Sequence, residues 1–126
     1  MLSQGTVPTT AITIACTQFA QSPNVSRTVS ALSGTQIAVT LCADPSSGYV
    51  WNPAPAMTDA SVLTQVSHQL SIPTPVPNTP FVIVSGKEVW TFRTAKSGTT
   101  DVTFTSTRND QPDANAWSLK LTVTVR

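Results

Sequence analysis

Charge is what this chain has least of. Of its 126 residues only 10% are Asp, Glu, Lys or Arg, and the formal net charge is +1 with no run of like charges. A nucleic-acid partner calls for a basic stripe to neutralise phosphates, and an anionic membrane surface calls for a polybasic cluster, so the composition argues against both. No apolar stretch approaches the length of a bilayer span. Histidine occurs once, as His68, without the Gly-x-Ser-x-Gly context that positions a serine nucleophile. The six acidic residues are scattered and form no carboxylate pair motif. Two cysteines and one histidine, far apart in sequence, do not make a zinc site, and no glycine-rich phosphate loop exists. The inventory points away from an enzyme and implies no cofactor and no metal.

What remains is a chain that is 40% hydrophobic and long enough for one domain, residues 1–126, with a real core. Its periodicity is two almost everywhere. Ile12, Ile14 and Cys16 alternate with threonine and alanine. Ile37, Val39 and Leu41 follow a Ser33-Gly34 turn, and Trp90 and Phe92 share a phase. Val102 and Phe104 follow a Lys96-Ser97-Gly98 turn, and Trp117, Leu119, Leu121, Val123 and Val125 close the chain. β-Branched residues crowd these runs and no segment carries a sustained helical stripe, so the fold class is all-β. About seven such strands in a chain of this size predict an immunoglobulin-like antiparallel β-sandwich. Trp51, Trp90 and Trp117 fall on apolar phases and are read as core. Pro73, Pro75, Pro77 and Pro80 make the segment from Ile72 to Phe81 an extended crossover. His68, between Ser67 and Gln69, is read as an exposed residue of a strand. The first eight residues, Met1 to Pro8, lack a basic region followed by an apolar core, so no signal peptide is visible. The threonine- and serine-rich composition suits an exported chain (periplasmic, extracellular or vesicular).

The stretch Asp44-Pro45-Ser46-Ser47-Gly48-Tyr49 carries the functional signal. It joins the strand ending at Leu41 to Tyr49-Val50-Trp51, so it is a short connection between strands. Pro45 fixes φ, Ser46 and Ser47 are small and hydroxylated, and Gly48 can take φ > 0. Nothing in it is charged at neutral pH except Asp44. Such a loop is a poor catalyst, but it is slim enough to enter another protein's cleft.

With these residues in view, the chain resembles the chagasin family of cysteine-peptidase inhibitors, over roughly residues 28–125. The family's first inhibitory loop reads Asn-Pro-Thr-Thr-Gly-Tyr, a variable residue, then Trp, and here the frame reads Asp44-Pro45-Ser46-Ser47-Gly48-Tyr49-Val50-Trp51. Glu88 to Arg93, the turn Lys96-Ser97-Gly98-Thr99-Thr100 and the closing run Leu119 to Val125 resemble later strands of the family. In place of the family's second loop, Gly-x-Gly-Gly, stands Ile83-Val84-Ser85-Gly86. In place of the Arg-Pro-Trp of its third loop stands Arg108-Asn109-Asp110, which keeps the arginine and lacks the aromatic anchor.

The resemblance implies a reversible, non-covalent inhibitor whose partner is a papain-like cysteine peptidase. Free, it would be a monomer. Three loops would block the cleft: Asp44 to Tyr49 centrally, Ser85 and Gly86 on one side, and Arg108, Asn109 and Asp110 on the other. The other reading of the same sandwich is an adhesion or carbohydrate-binding module without inhibitory activity. The cysteines leave two readings open. Cys16 runs in phase with Ile12 and Ile14, whereas Cys42 is out of phase with its strand, so an inter-strand bridge needs a bulge to re-aim one side chain. Without a bridge, Cys16 is a small buried hydrophobe and Cys42 a half-exposed thiol. Neither lies in a proposed contact loop, so reduction is expected to leave inhibition intact while the domain stays folded.

Overall fold

The computed structural model describes residues 8–43, 49–71, 86–107 with the backbone of Arg108, and 116–126. In chain order these form β1 (Thr9–Ile14), α1 (Cys16–Gln21), β2 (Asn24–Ala31), β3 (Gln36–Ala43), β4 (Tyr49–Trp51), β5 (Ala56–Met57), β6 (Leu63–Ser71), β7 (Gly86–Thr94), β8 (Gly98–Arg108) and β9 (Ser118–Val125). One sheet has the order β1-β3-β7-β6. The other has the order β2-β9-β8-β4, with β5 also paired to β8. The all-β sandwich is as expected, with two additions to the expected strands. Among the described residues β2 and the two-residue β5 raise the count to nine. The pairings β1–β3 and β2–β9 are parallel, while the rest are antiparallel.

Alternation decides which side chains meet between the sheets. Ile37, Val39 and Leu41 of β3, Trp90 and Phe92 of β7, Val102 and Phe104 of β8, and Leu119, Leu121 and Val123 of β9 have no exposed surface. Each fully buried aliphatic side chain contributes about 1.5–3 kcal/mol by leaving water. The aromatic rings add directional contacts, Trp90 edge-on to Phe104 at 5.0 Å and Phe92 edge-on to Phe104 at 6.1 Å. Gly34, at φ +80°, makes the turn read from Ser33-Gly34.

Three local readings are corrected. Cys16 does not continue a strand: β1 stops at Ile14, and the chain turns into α1, where the Gln18 side-chain oxygen accepts from the Ala15 N–H at 3.0 Å. Cys42 is neither free nor half-exposed. It is 6% exposed and bonded to Cys16, with the Cα atoms 5.1 Å apart. The helix, rather than a strand bulge, swings Cys16 over to it. His68 is half-buried instead of exposed. A bulge between Gln65 and Ser67 shifts the register of β6, so that His68, not Ser67, lies opposite Trp90. Its Nε2 is 2.6 Å from Oε2 of the buried Glu88, and its ring is 5.1 Å from that of Trp90. The proline-studded segment from Ile72 to Phe81 lies outside the described residues.

Candidate functional site at one end of the sandwich

Register brings the ends of six strands together. Ala43, the last residue of β3, pairs with Gly86, the first of β7. Ser71, the last of β6, pairs with Lys87. Tyr49, the first of β4, pairs with Arg108, the last of β8. Trp117, just before β9, closes a reciprocal set with Ser106: its N–H donates to the serine Oγ at 2.9 Å, and its carbonyl accepts from the serine N–H at 3.0 Å. The flanks of segments 44–48, 72–85 and 109–115 are therefore the carboxyl ends of β3, β6 and β8 and the amino ends of β4, β7 and β9. A direct bond joins the sheets there, because the indole N–H of Trp51 on β4 donates to the carbonyl of Cys42 on β3 at 2.8 Å, buried from solvent.

Of the residues proposed for contact, Tyr49 is half-buried at the start of β4, Gly86 is buried at the start of β7, and the Arg108 backbone ends β8. Their partners in the register put these three at one end of the molecule. Asp44, Pro45, Ser46, Ser47, Gly48, Ser85, Asn109 and Asp110 lie outside the described residues. Val50, between Tyr49 and Trp51, is 55% exposed. The alternation of β4 turns it outward while Trp51 goes in.

Beneath this end lies an aromatic cluster that sequence reasoning saw only in part. Trp51 and Trp90 are buried as expected, edge-on at 6.4 Å. Trp117 keeps its phase with Leu119 and Leu121 but is half-buried. Phe19, on α1, is fully buried, stacked on Trp117 at 4.9 Å and tilted against Trp51 at 5.3 Å. Its one signal in the sequence was a lone large aromatic in a polar stretch, Thr17-Gln18-Phe19-Ala20-Gln21. Six residues are too few to show a helical period.

The described residues at this end offer aromatic surface and hydrogen-bonding groups. Among the described residues no group of three or more His, Cys, Asp or Glu side chains is placed to hold a metal ion. Asp59, whose carboxyl is held below its usual range by hydrogen bonds from the Ser61 side chain and N–H, lies in a turn bonded to Thr100, toward the opposite end of β8. No helix among the described residues is long and apolar enough to cross a membrane.

The family description "Chagasin family peptidase inhibitor I42" matches residues 30–125. Among curated protein sequences none matches the chain. In shape it is similar to the cysteine protease inhibitor EhICP2 from Entamoeba histolytica, with TM-score 0.68 and 18% identity over 94% of this chain and 97% of that one. It is also similar to amebosin, with TM-score 0.60 and 19% identity over 94% and 99% of the two chains. A third likeness is to PbICP-C, solved in complex with falcipain-2, with TM-score 0.53 and 18% identity over 99% and 98%. At such identities these likenesses speak for the fold. The family match, which takes in β3 to β9 and the whole loop end, speaks for the lineage: this chain belongs to the chagasin family of peptidase inhibitors and is an inhibitor, not an enzyme.

Proposed function

We propose that this inhibitor blocks papain-like cysteine peptidases reversibly and without a covalent bond, by seating the loop end of the sandwich in the active-site cleft. The single observation that carries the reading is the convergence of three pairs of strand ends, in a member of a peptidase-inhibitor family, at one end of the molecule. Asp44 to Tyr49 forms the central wedge. Ser46 and Ser47 are small enough to approach the peptidase thiolate, and Gly48 permits close backbone contact. The flanking contacts are Ser85 and Gly86 on one side and Arg108, Asn109 and Asp110 on the other. A loop held by its strands loses little freedom on binding. A peptide backbone that offers the thiolate no in-line carbonyl is bound without being cleaved.

The free inhibitor acts as a monomer in this reading, since one chain supplies all three pairs of flanking strand ends. Export is supported by the Cys16–Cys42 bridge, because disulfides persist in oxidising compartments. The test is a titration of papain, assayed with a dipeptide reporter substrate. Stoichiometric loss of activity is expected. Full activity at micromolar inhibitor would favour an adhesion or carbohydrate-binding module instead.

A further inference from the structure

The family match begins at residue 30, yet the strand ends that carry the first and third loops rest on a helix that precedes it, α1 (Cys16–Gln21). Three contacts make the connection. Cys16 is bonded to Cys42, two residues before segment 44–48. Phe19 packs on Trp51, three residues beyond that segment. The same ring stacks on Trp117, two residues beyond segment 109–115, with the planes 7° apart. Trp51 in turn donates to the Cys42 carbonyl, so one small unit ties both flanks of the first loop to the exit of the third.

A helix of six residues is not stable by itself, because nucleation costs more than so few hydrogen bonds return. It keeps its place through the covalent bridge at its first residue and the buried ring of Phe19. We propose that α1, pinned by the Cys16–Cys42 bridge, is the positioning element of the inhibitory end. It fixes the stems of the first and third loops relative to one another before a peptidase arrives. Opening the bridge leaves the sandwich folded on its own core but frees the stem of the first loop, so the ordering cost is met at binding and affinity falls. This reverses the expectation that reduction leaves inhibition intact, and it rests on the peptidase-inhibitor reading. Reduction by a small dithiol is balanced: two electrons and two protons pass to the Cys16 and Cys42 sulfurs, and the reagent leaves as its cyclic disulfide.

The test measures binding to papain whose nucleophilic cysteine is replaced by alanine, so that reductant cannot alter the nucleophile. The inhibitor is compared oxidised, reduced with dithiothreitol, and re-oxidised. The expected result is a Kd about tenfold higher for the reduced form, arising mainly in dissociation, and recovered on re-oxidation. Amide protection in β8 and β9 should be unchanged. Equal affinities for the oxidised and reduced forms would overturn the proposal. If reduction unfolds the domain, Phe19→Leu with the bridge closed serves instead. That variant keeps the apolar fill but loses the stack on Trp117, and it should bind several-fold more weakly with β8–β9 protection retained. Wild-type affinity in Phe19→Leu would equally overturn the proposal. Failure of every form to bind would contradict the inhibitor reading itself.

Discussion

At the scale of single residues, the indole N–H of Trp51 links the two legs of the first loop through the Cys42 carbonyl. Trp51→Phe keeps an aromatic ring on Phe19 and Trp90 and removes only this donor and part of the ring. Loss of a buried hydrogen bond of this kind costs about 1–3 kcal/mol. The denaturation midpoint should fall accordingly and inhibition should weaken with it. An unchanged midpoint would show that the bond contributes nothing. Gly48 is the residue of the first loop best suited to φ > 0, and a β-branched side chain in such a conformation costs about 1–3 kcal/mol. Gly48→Val is therefore expected to weaken inhibition of papain while the thermal transition moves little, because no core strand is touched. Full inhibitory strength in that variant would remove the first loop from the central role.

At the scale of elements, the bulge in β6 has a consequence for stability near the second loop. It turns His68 inward onto Glu88, whose side chain is 5% exposed, close to the end of β7 that starts at Gly86. His68→Ala strips the buried carboxylate of its partner and should lower stability by about 1–3 kcal/mol in chemical denaturation, whereas Gln69→Ala, on the exposed face of the same strand, should leave it nearly unchanged. Equal effects would mean that the pair is not a structural contact. The three loops should also rank. A charge at the rim of an interface changes association more than final affinity, so Arg108→Ala, if that residue is a flanking contact, is expected to weaken inhibition less than changes at Ser46 and Ser47. Inhibition constants for the three variants decide this, and the inverse order would contradict the assignment of the central wedge.

The strands that proved easiest to read in the sequence are those whose alternation is unbroken. Ile37 to Leu41, Trp90 to Phe92 and Leu119 to Val125 are buried in the phase their spacing predicts. Reading failed where local pattern and backbone part ways. The Ile12, Ile14, Cys16 alternation runs on past Ile14, but the backbone turns at Ala15, so the helix was hidden and the bridge looked out of phase. The bulge in β6 inverted the face of His68, and nothing short-range announces a bulge. Parallel pairing of β1 with β3 and of β2 with β9 is set by which strand lies next to which across the chain, and a strand's own sequence does not encode that. Of the proposed first loop the sequence offers the motif Asp44 to Trp51, of which residues 44–48 lie outside the described residues, whereas the buried unit of Phe19, Trp51 and Trp117 beside it carries no such local signal.

At the scale of the whole molecule, a sandwich with an aromatic core brings the strand ends that flank segments 44–48, 72–85 and 109–115 to one end, and that end is the part we propose meets a peptidase. A wedge that occupies the cleft excludes substrate from the same space. Inhibition must then be competitive, which separates cleft blocking from binding elsewhere on the enzyme. The direct measurement is the apparent inhibition constant for papain across a range of dipeptide substrate concentrations spanning KM, with the inhibitor recovered afterwards and its mass determined. Cleft blocking predicts an apparent constant that rises linearly with substrate concentration, and an inhibitor recovered uncleaved. An apparent constant that does not change with substrate concentration, or recovery of a chain cut within Asp44 to Tyr49, would contradict it.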